Sequence, residues 1–299
     1  MTDGSRVGGM TGMREESAVR EGAVPETPFD ANERRAWAGR AAAYAAGFGK
    51  LCAYPVPWLL DAAAVGAGAR VLDVGTGTGV VAAAAGARGA RVTAVDAEPD
   101  MVRYAAHAVP EAEVRVAALP RLPFADGEFD AVVGNFVLNH VGRPRAALAE
   151  LRRVTRPGGR VALTIWAAPA APGQALLGRA VQAAGVSRPA ELPALAPEED
   201  FPRTEEGLAG LLRTAGRLAE VRCAALSWEH RTTPEEWWHG PAAGVATIGQ
   251  IVISRGAAVT ERIRRQFAAL AGEFTGPDGD LVLPHAALLA SGRVAGPVS

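Results

Sequence analysis

Apolar and polar positions divide the chain into a polar start, a helical stretch and a long alternation of strands with helices. Residues 1–25 are rich in Gly, Glu and Arg and lack an apolar run, so they read as a tail without a signal peptide. From 32 to 64, Ala-rich turns carry Trp37, Tyr44, Phe48 and Leu51 at helical spacing, and Pro55 and Pro57 break the run before Trp58-Leu59-Leu60. Arg70-Val71-Leu72-Asp73-Val74 is a short strand with β-branched residues, ended by Gly75-Thr76-Gly77-Thr78-Gly79. A helix over 80–87 and a strand over 91–96 follow. Pro99 stands where the first turn of a helix accepts it, and that helix runs to 108.

The alternation continues with strands over 113–117 and 129–135, the second apolar enough to be buried on both faces. A helix over 143–156 carries Leu148, Leu151 and Val154 on one face, and Pro157-Gly158-Gly159 stops it before a strand over 160–166. Beyond Trp166 the segments 167–173 and 187–202 are rich in Pro and Ala. Helices are expected over 174–184, 204–215 and 242–274, and strands over 219–226 and 281–283. Strands alternating with helices predict an α/β fold with a doubly wound, mostly parallel sheet of seven strands.

Composition adds exclusions. With 299 residues, 49% of them apolar and 21% charged, the chain is an ordinary globular sequence able to bury a large core. A formal charge of −1 gives no global basic field for nucleic acid or an anionic membrane. No run approaches the roughly 18 apolar residues of a membrane helix. Cys52 and Cys223 are the only cysteines, too few for a disulfide framework, and no His, Cys and carboxylate group has metal spacing. A cytoplasmic protein without a metal is the expectation.

The glycine segment carries the most chemistry. Glycines after a buried strand let the backbone turn tightly and approach a ligand closely. The helix that follows points free amides and the positive end of its dipole at the crevice. Asp96, at the end of the second strand, can accept both hydroxyl hydrogens of a ribose. A dinucleotide fingerprint needs a third glycine where Val80 stands, and Asp73 would repel a pyrophosphate. Beside a sulfonium and an ammonium, that carboxylate is stabilising. The charges favour S-adenosylmethionine as the ligand.

Asp73-Val74-Gly75-Thr76-Gly77-Thr78-Gly79 resembles the first motif of the class I S-adenosylmethionine-dependent methyltransferases. Val95-Asp96-Ala97-Glu98-Pro99-Asp100-Met101 is similar to their second motif. Leu122-Pro123-Phe124 through Asp130 resembles the entry to their fourth strand, and Leu151 through Gly159 the turn before their fifth. The resemblance covers roughly residues 66–166. It implies that Asp73, Gly75, Thr76, Gly77 and Gly79 line the methionine moiety. It also implies that Asp96 and Ala97 hold the ribose and that Met101 packs near the ribose or adenine. Many relatives carry an acid at the position of Ala118, so the backbone around Leu119 is left to hold the adenine. The corresponding domain plan is a disordered tail (1–28), a helical cap (29–64), a Rossmann-like cofactor core (65–167), and remaining strands with a helical substrate lid (168–299).

Methyl transfer needs alignment and dryness more than a catalytic dyad, and a base only for some acceptors. His140, just after the fourth strand, is a candidate base, and Asn135 at the same edge is a candidate ligand contact. His239 is a second candidate, because it follows Trp237-Trp238 in the region expected to cover the cleft. His230 and His285 read as ordinary surface or satisfied histidines. The expected activity is methyl transfer to a small molecule, leaving S-adenosylhomocysteine, with the acceptor atom and the oligomeric state open. Two other readings share the pattern: a protein that binds the cofactor without transferring methyl groups, and a nicotinamide-dependent oxidoreductase, which Val80 and Asp73 disfavour.

Overall fold

The computed structural model describes residues 25–296. The tail expected over 1–28 therefore lies outside the described residues as far as residue 24. The N-terminal stretch is four short helices, α1 (Pro28–Trp37), α2 (Ala41–Ala46), α3 (Phe48–Cys52) and α4 (Val56–Ala62). Breaks fall at Gly39 and Gly47 as well as at Pro55. Gly39 has φ +70°, a conformation that ends a helix. Thr27 caps α1 in a reciprocal box with Asp30, and Asp30 also accepts the Gly142 amide at 2.7 Å. That bond ties α1 to the far side of the crevice.

The core alternates β1 (Arg70–Val74), α5 (Val80–Ala87), β2 (Arg91–Asp96), α6 (Pro99–Ala108), β3 (Glu113–Val116) and β4 (Phe129–Asn135). One 3-10 turn (Val137–His140), α7 (Pro144–Val154) and β5 (Thr155–Trp166) complete it. Helix α7 ends two residues before the expected 156. The Pro157-Gly158-Gly159 stretch lies inside β5 as a register irregularity opposite Phe129 and Ala131. The C-terminal third adds α8 (Pro172–Ala183), α9 (Glu205–Thr214), β6 (Leu218–Thr232), α10 (Pro234–Ala242), α11 (Ala246–Ile253), α12 (Ala257–Ala271) and β7 (Leu281–Val294).

All seven strands form one sheet in the order β3-β2-β1-β4-β5-β7-β6. Strands β1 to β5 pair in parallel, and β7 is antiparallel to both of its neighbours. The fold is thus the mostly parallel α/β sheet the pattern predicts. Successive strands are added on one side of β1 up to β3 and on its other side from β4, and such a switch in strand order opens a crevice at the carboxyl ends of the strands. Buried Leu72, Val74, Val132, Leu148, Leu151 and Leu163 form the core beside that crevice. A second core joins α8, α10, α11 and α12 to β7 through Leu176, Trp237, Trp238, Val252, Ile263, Phe267 and Leu283.

Candidate active site

The glycine loop is shaped by backbone that only glycine adopts cheaply. Gly75, Gly77 and Gly79 have φ of +69°, +55° and +88°. A Cβ on Gly75 would lie 2.4 Å from Val137 Cγ2, so the loop also rests directly on the segment after β4. Beneath the loop, Asp73 is fully buried; its Oδ2 accepts the Thr76 hydroxyl at 2.6 Å, and its Oδ1 has no hydrogen-bond partner. Burial, with the nearby Asp96 charge adding to it, pushes the Asp73 carboxyl up to about 7. Asp96 accepts the Gly77 amide at 2.8 Å through Oδ2 and the Glu98 amide at 2.9 Å through Oδ1. Its own pKa is raised by burial, against those two amide hydrogen bonds.

Asp96 and the turn at Gly75 and Gly77 open onto a cavity of about 450 Å³ at the carboxyl edge of the sheet, while Asp73 lies beneath the loop and outside its wall. Gly75, Gly77, Asp96, Ala97, Met101 and Ala118 line one end of it, together with Leu119. The Leu119 loop is anchored from behind: Glu150 accepts the Leu122 amide at 2.6 Å, and Arg153 donates to the Leu122 and Phe124 carbonyls. Thr76 and Gly79, both expected to touch the ligand, lie outside the wall. The Thr76 hydroxyl is spent on Asp73, and Gly79 packs toward Ala105 and Val109. Asn135 lines the cavity, yet both ends of its amide are committed within the protein. Nδ2 donates to the Cys52 carbonyl at 2.7 Å, and Oδ1 accepts the Thr164 hydroxyl at 2.6 Å.

His140 also lines the cavity. Its Nδ1 is 2.7 Å from Glu33 Oε2 on α1, a carboxylate that also accepts the Trp37 indole N–H at 3.3 Å. The Trp37 ring meets the imidazole edge-on at 5.2 Å. With Nδ1–H donating to Glu33, Nε2 is the free nitrogen. The expectation for His239 is corrected: it is exposed and outside the cavity. Helix α10 turns Trp237 and Trp238 inward, and the residue after them faces away. Trp238 stacks on Phe267, while Trp237 is both core and cavity wall.

Of the far wall, only the Trp237-Trp238 pair stands out in the sequence, as core packing or an aromatic wall. Phe136 directly follows β4 and Trp166 ends β5; their rings are face to face, with centroids 4.0 Å apart. His285, on β7, is buried and lines the same wall rather than the surface. Position at the carboxyl edge was the signal available for Phe136 and Trp166. Nothing in the sequence marks Gln174 or Glu33 as neighbours of these groups. Among the described residues, no group of three His, Cys, Asp or Glu side chains could hold a metal ion. No helix there is long and apolar enough to cross a membrane.

Residues 72–163 match the family model of a methyltransferase domain. An uncharacterized protein of Mycobacterium tuberculosis is 32% identical over 235 residues, 74% of this chain and 84% of that protein. The chain belongs to the class I S-adenosylmethionine-dependent methyltransferases. A demethylmenaquinone methyltransferase of Beutenbergia cavernae is 41% identical over 120 residues, 40% of this chain and 50% of that enzyme. The chain thus spans about half the length of the demethylmenaquinone methyltransferases it matches. The YcgJ protein of Bacillus subtilis has the same fold, with a TM-score of 0.51 at 19% identity, covering 81% of this chain and 99% of that one. Membership implies S-adenosylmethionine as cofactor, and the site chemistry fits. Asp96 presents a carboxylate to the cavity beside the Gly75 and Gly77 backbone, and Asp73, beneath the loop, keeps a buried acceptor without a donor.

Proposed function

We propose that this methyltransferase moves the methyl group of S-adenosylmethionine to a small molecule held against the far wall of the cavity. One observation carries the reading: a single continuous cavity joins the glycine loop and Asp96 to the rings of Phe136, Trp166 and Trp237. Asp96 would accept the ribose hydroxyls, with Ala97 and Met101 beside the ribose and the backbone of Ala118 and Leu119 at the adenine. The Asp73 carboxylate, under the loop, would offset the cationic methionine end and regain its own charge in doing so. The cofactor supplies a methyl carbon already activated by its sulfonium. The chain's part is to align the acceptor with that carbon and keep water out, which the ring-lined wall does.

His140 would receive the proton of a hydroxyl acceptor at Nε2, with Glu33 holding the ring in the tautomer that leaves this nitrogen bare. The test follows label from methyl-labelled S-adenosylmethionine into an extractable acceptor, with S-adenosylhomocysteine as inhibitor. In the His140→Ala variant, turnover should fall by roughly 10²–10⁴-fold while cofactor affinity is retained. Glu33→Gln should fall between that variant and wild type. Equal turnover at saturating acceptor would return His140 to a packing role, and no labelled product from any acceptor class would sink the transfer reading.

A further inference from the structure

The two ends of the cavity differ in charge. The Asp, Glu and Arg side chains that line it are Asp30, Glu33 and Arg34 on α1, and Asp96 and Glu98 at the end of β2. The wall formed by Phe136, Trp166, Trp237 and His285, with Gln174 and Leu177 beside them, carries no formal charge. Burial keeps His285 neutral by lowering its pKa to about 4. A charged acceptor would lose its hydration there with nothing to offset the loss. A cationic one would in addition face the sulfonium of the cofactor.

The wall is a cluster of rings packed on one another, an apolar and polarisable face that suits an aromatic ligand. Phe136 and Trp166 are nearly parallel, at 22°, and Trp166 and Trp237 both close on the His285 imidazole, at 6.1 and 5.5 Å. Phe136 holds φ +59°, a strained conformation for a bulky side chain, and one that the surroundings must maintain. The wall also has hydrogen-bonding capacity to spare. Gln174 Oε1 and Trp237 Nε1 have no partner in the protein but are themselves buried away from the cavity, so the capacity lies with His285. His285 Nδ1 is 2.8 Å from the Leu283 carbonyl, which fixes the proton on Nδ1 and makes Nε2 an acceptor. A hydroxyl donates one hydrogen bond, which suits the bare His285 Nε2 in that wall.

We infer that the acceptor is an uncharged, flat aromatic molecule bearing a hydroxyl group, its ring against Phe136, Trp166 and Trp237 and its hydroxyl hydrogen-bonded to His285 Nε2. The inference rests on the reading of the cavity as the site of methyl transfer. It assigns the far wall as the acceptor subsite and His285 as a residue that sets specificity.

The probes are 2-naphthol, 2-naphthoate, 2-naphthylmethylammonium and naphthalene, titrated calorimetrically into the full-length chain saturated with S-adenosylhomocysteine. 2-Naphthol should bind with one site per chain and at least about tenfold more tightly than the other three, the difference one polar contact makes. His285→Leu should bring 2-naphthol down to the affinity of naphthalene. Titration of the cofactor-free variant with S-adenosylhomocysteine shows that it is folded, and His285→Gln offers a second variant that keeps an acceptor and should retain part of the preference. A charged analogue that binds as tightly as 2-naphthol, or naphthalene that matches it, would overturn the inference in the wild-type protein alone. Failure of S-adenosylhomocysteine to bind would sink the reading of the cavity itself. Its binding without that of 2-naphthol would sink only the assignment of the acceptor.

Discussion

The two ends of the cavity are built by different means. The glycine-loop end comes from one βαβ unit: Asp73, Gly75 and Gly77 follow β1, Asp96 ends β2, and the Gly77 amide joins the two by a 2.8 Å bond. Its working parts are backbone amides and carboxylates held by short-range geometry. The opposite end takes one ring each from the ends of β4 and β5, from α10 and from β7, over a span of residues 136–285. It is polarisable, charge-free and held by packing. An end built on backbone suits a ligand of fixed structure, whereas an end built on scattered side chains can be re-cut for another acceptor without disturbing the loop.

If the ends are separate devices, they can be broken separately. The largest effect expected at the loop end is from Asp96→Ala. It removes the proposed ribose acceptor and frees the Gly77 and Glu98 amides. Charge-assisted hydrogen bonds contribute roughly 1.5–3 kcal/mol each, so S-adenosylhomocysteine affinity should fall by about 10²-fold or more. Binding of 2-naphthol to the cofactor-free chain should change by less than about twofold. Equal loss of both ligands would show that the ends are one cooperative unit.

A smaller effect sharpens the contrast through pH. Asp73 has a folded pKa of about 7, above its unfolded value, so the stability it contributes is complete below about pH 4 and is lost as pH rises to 7. His285 has a folded pKa of about 4, below its unfolded value, so its contribution is complete above about pH 6.5 and is lost as pH falls to 4. Between these limits the two slopes oppose each other. Thermal unfolding of Asp73→Asn, taken as the difference from wild type, should gain stability as pH rises across that window. The same difference for His285→Gln should gain as pH falls. Parallel slopes would mean that at least one of the two groups is not held as the structure places it.

The same contrast decides what the amino-acid order reveals. The loop end was legible because strand, glycines, helix, strand and acid are contiguous, and the charges of Asp73 and Asp96 speak for the ligand. The His140–Glu33 bond was not, since its partners are 107 residues apart and α1 carries no motif. Strand β7 was read as three residues and is fourteen. Ala286, Ala287, Ala290 and Gly292 are weak strand formers that extend here only because β5 and β6 flank them. Pro284 within it pairs with β6 before the β5 ladder begins at Ala287, a place where a missing amide is tolerated. His239 was misjudged because the pattern places Trp237-Trp238 near the cleft but not the direction in which α10 rolls. Thr76 was assigned to the ligand because a motif gives a position, whereas the Asp73 bond that claims its hydroxyl needs coordinates.

The central claim is that the glycine loop, Asp73 and Asp96 hold a sulfur nucleoside. Calorimetric titration of the purified chain with S-adenosylmethionine, S-adenosylhomocysteine and NAD⁺ tests it most directly. The account predicts one-site binding of both sulfur nucleosides and no heat from NAD⁺. Binding of NAD⁺ with no response to either sulfur nucleoside would contradict it and return the loop to a dinucleotide reading.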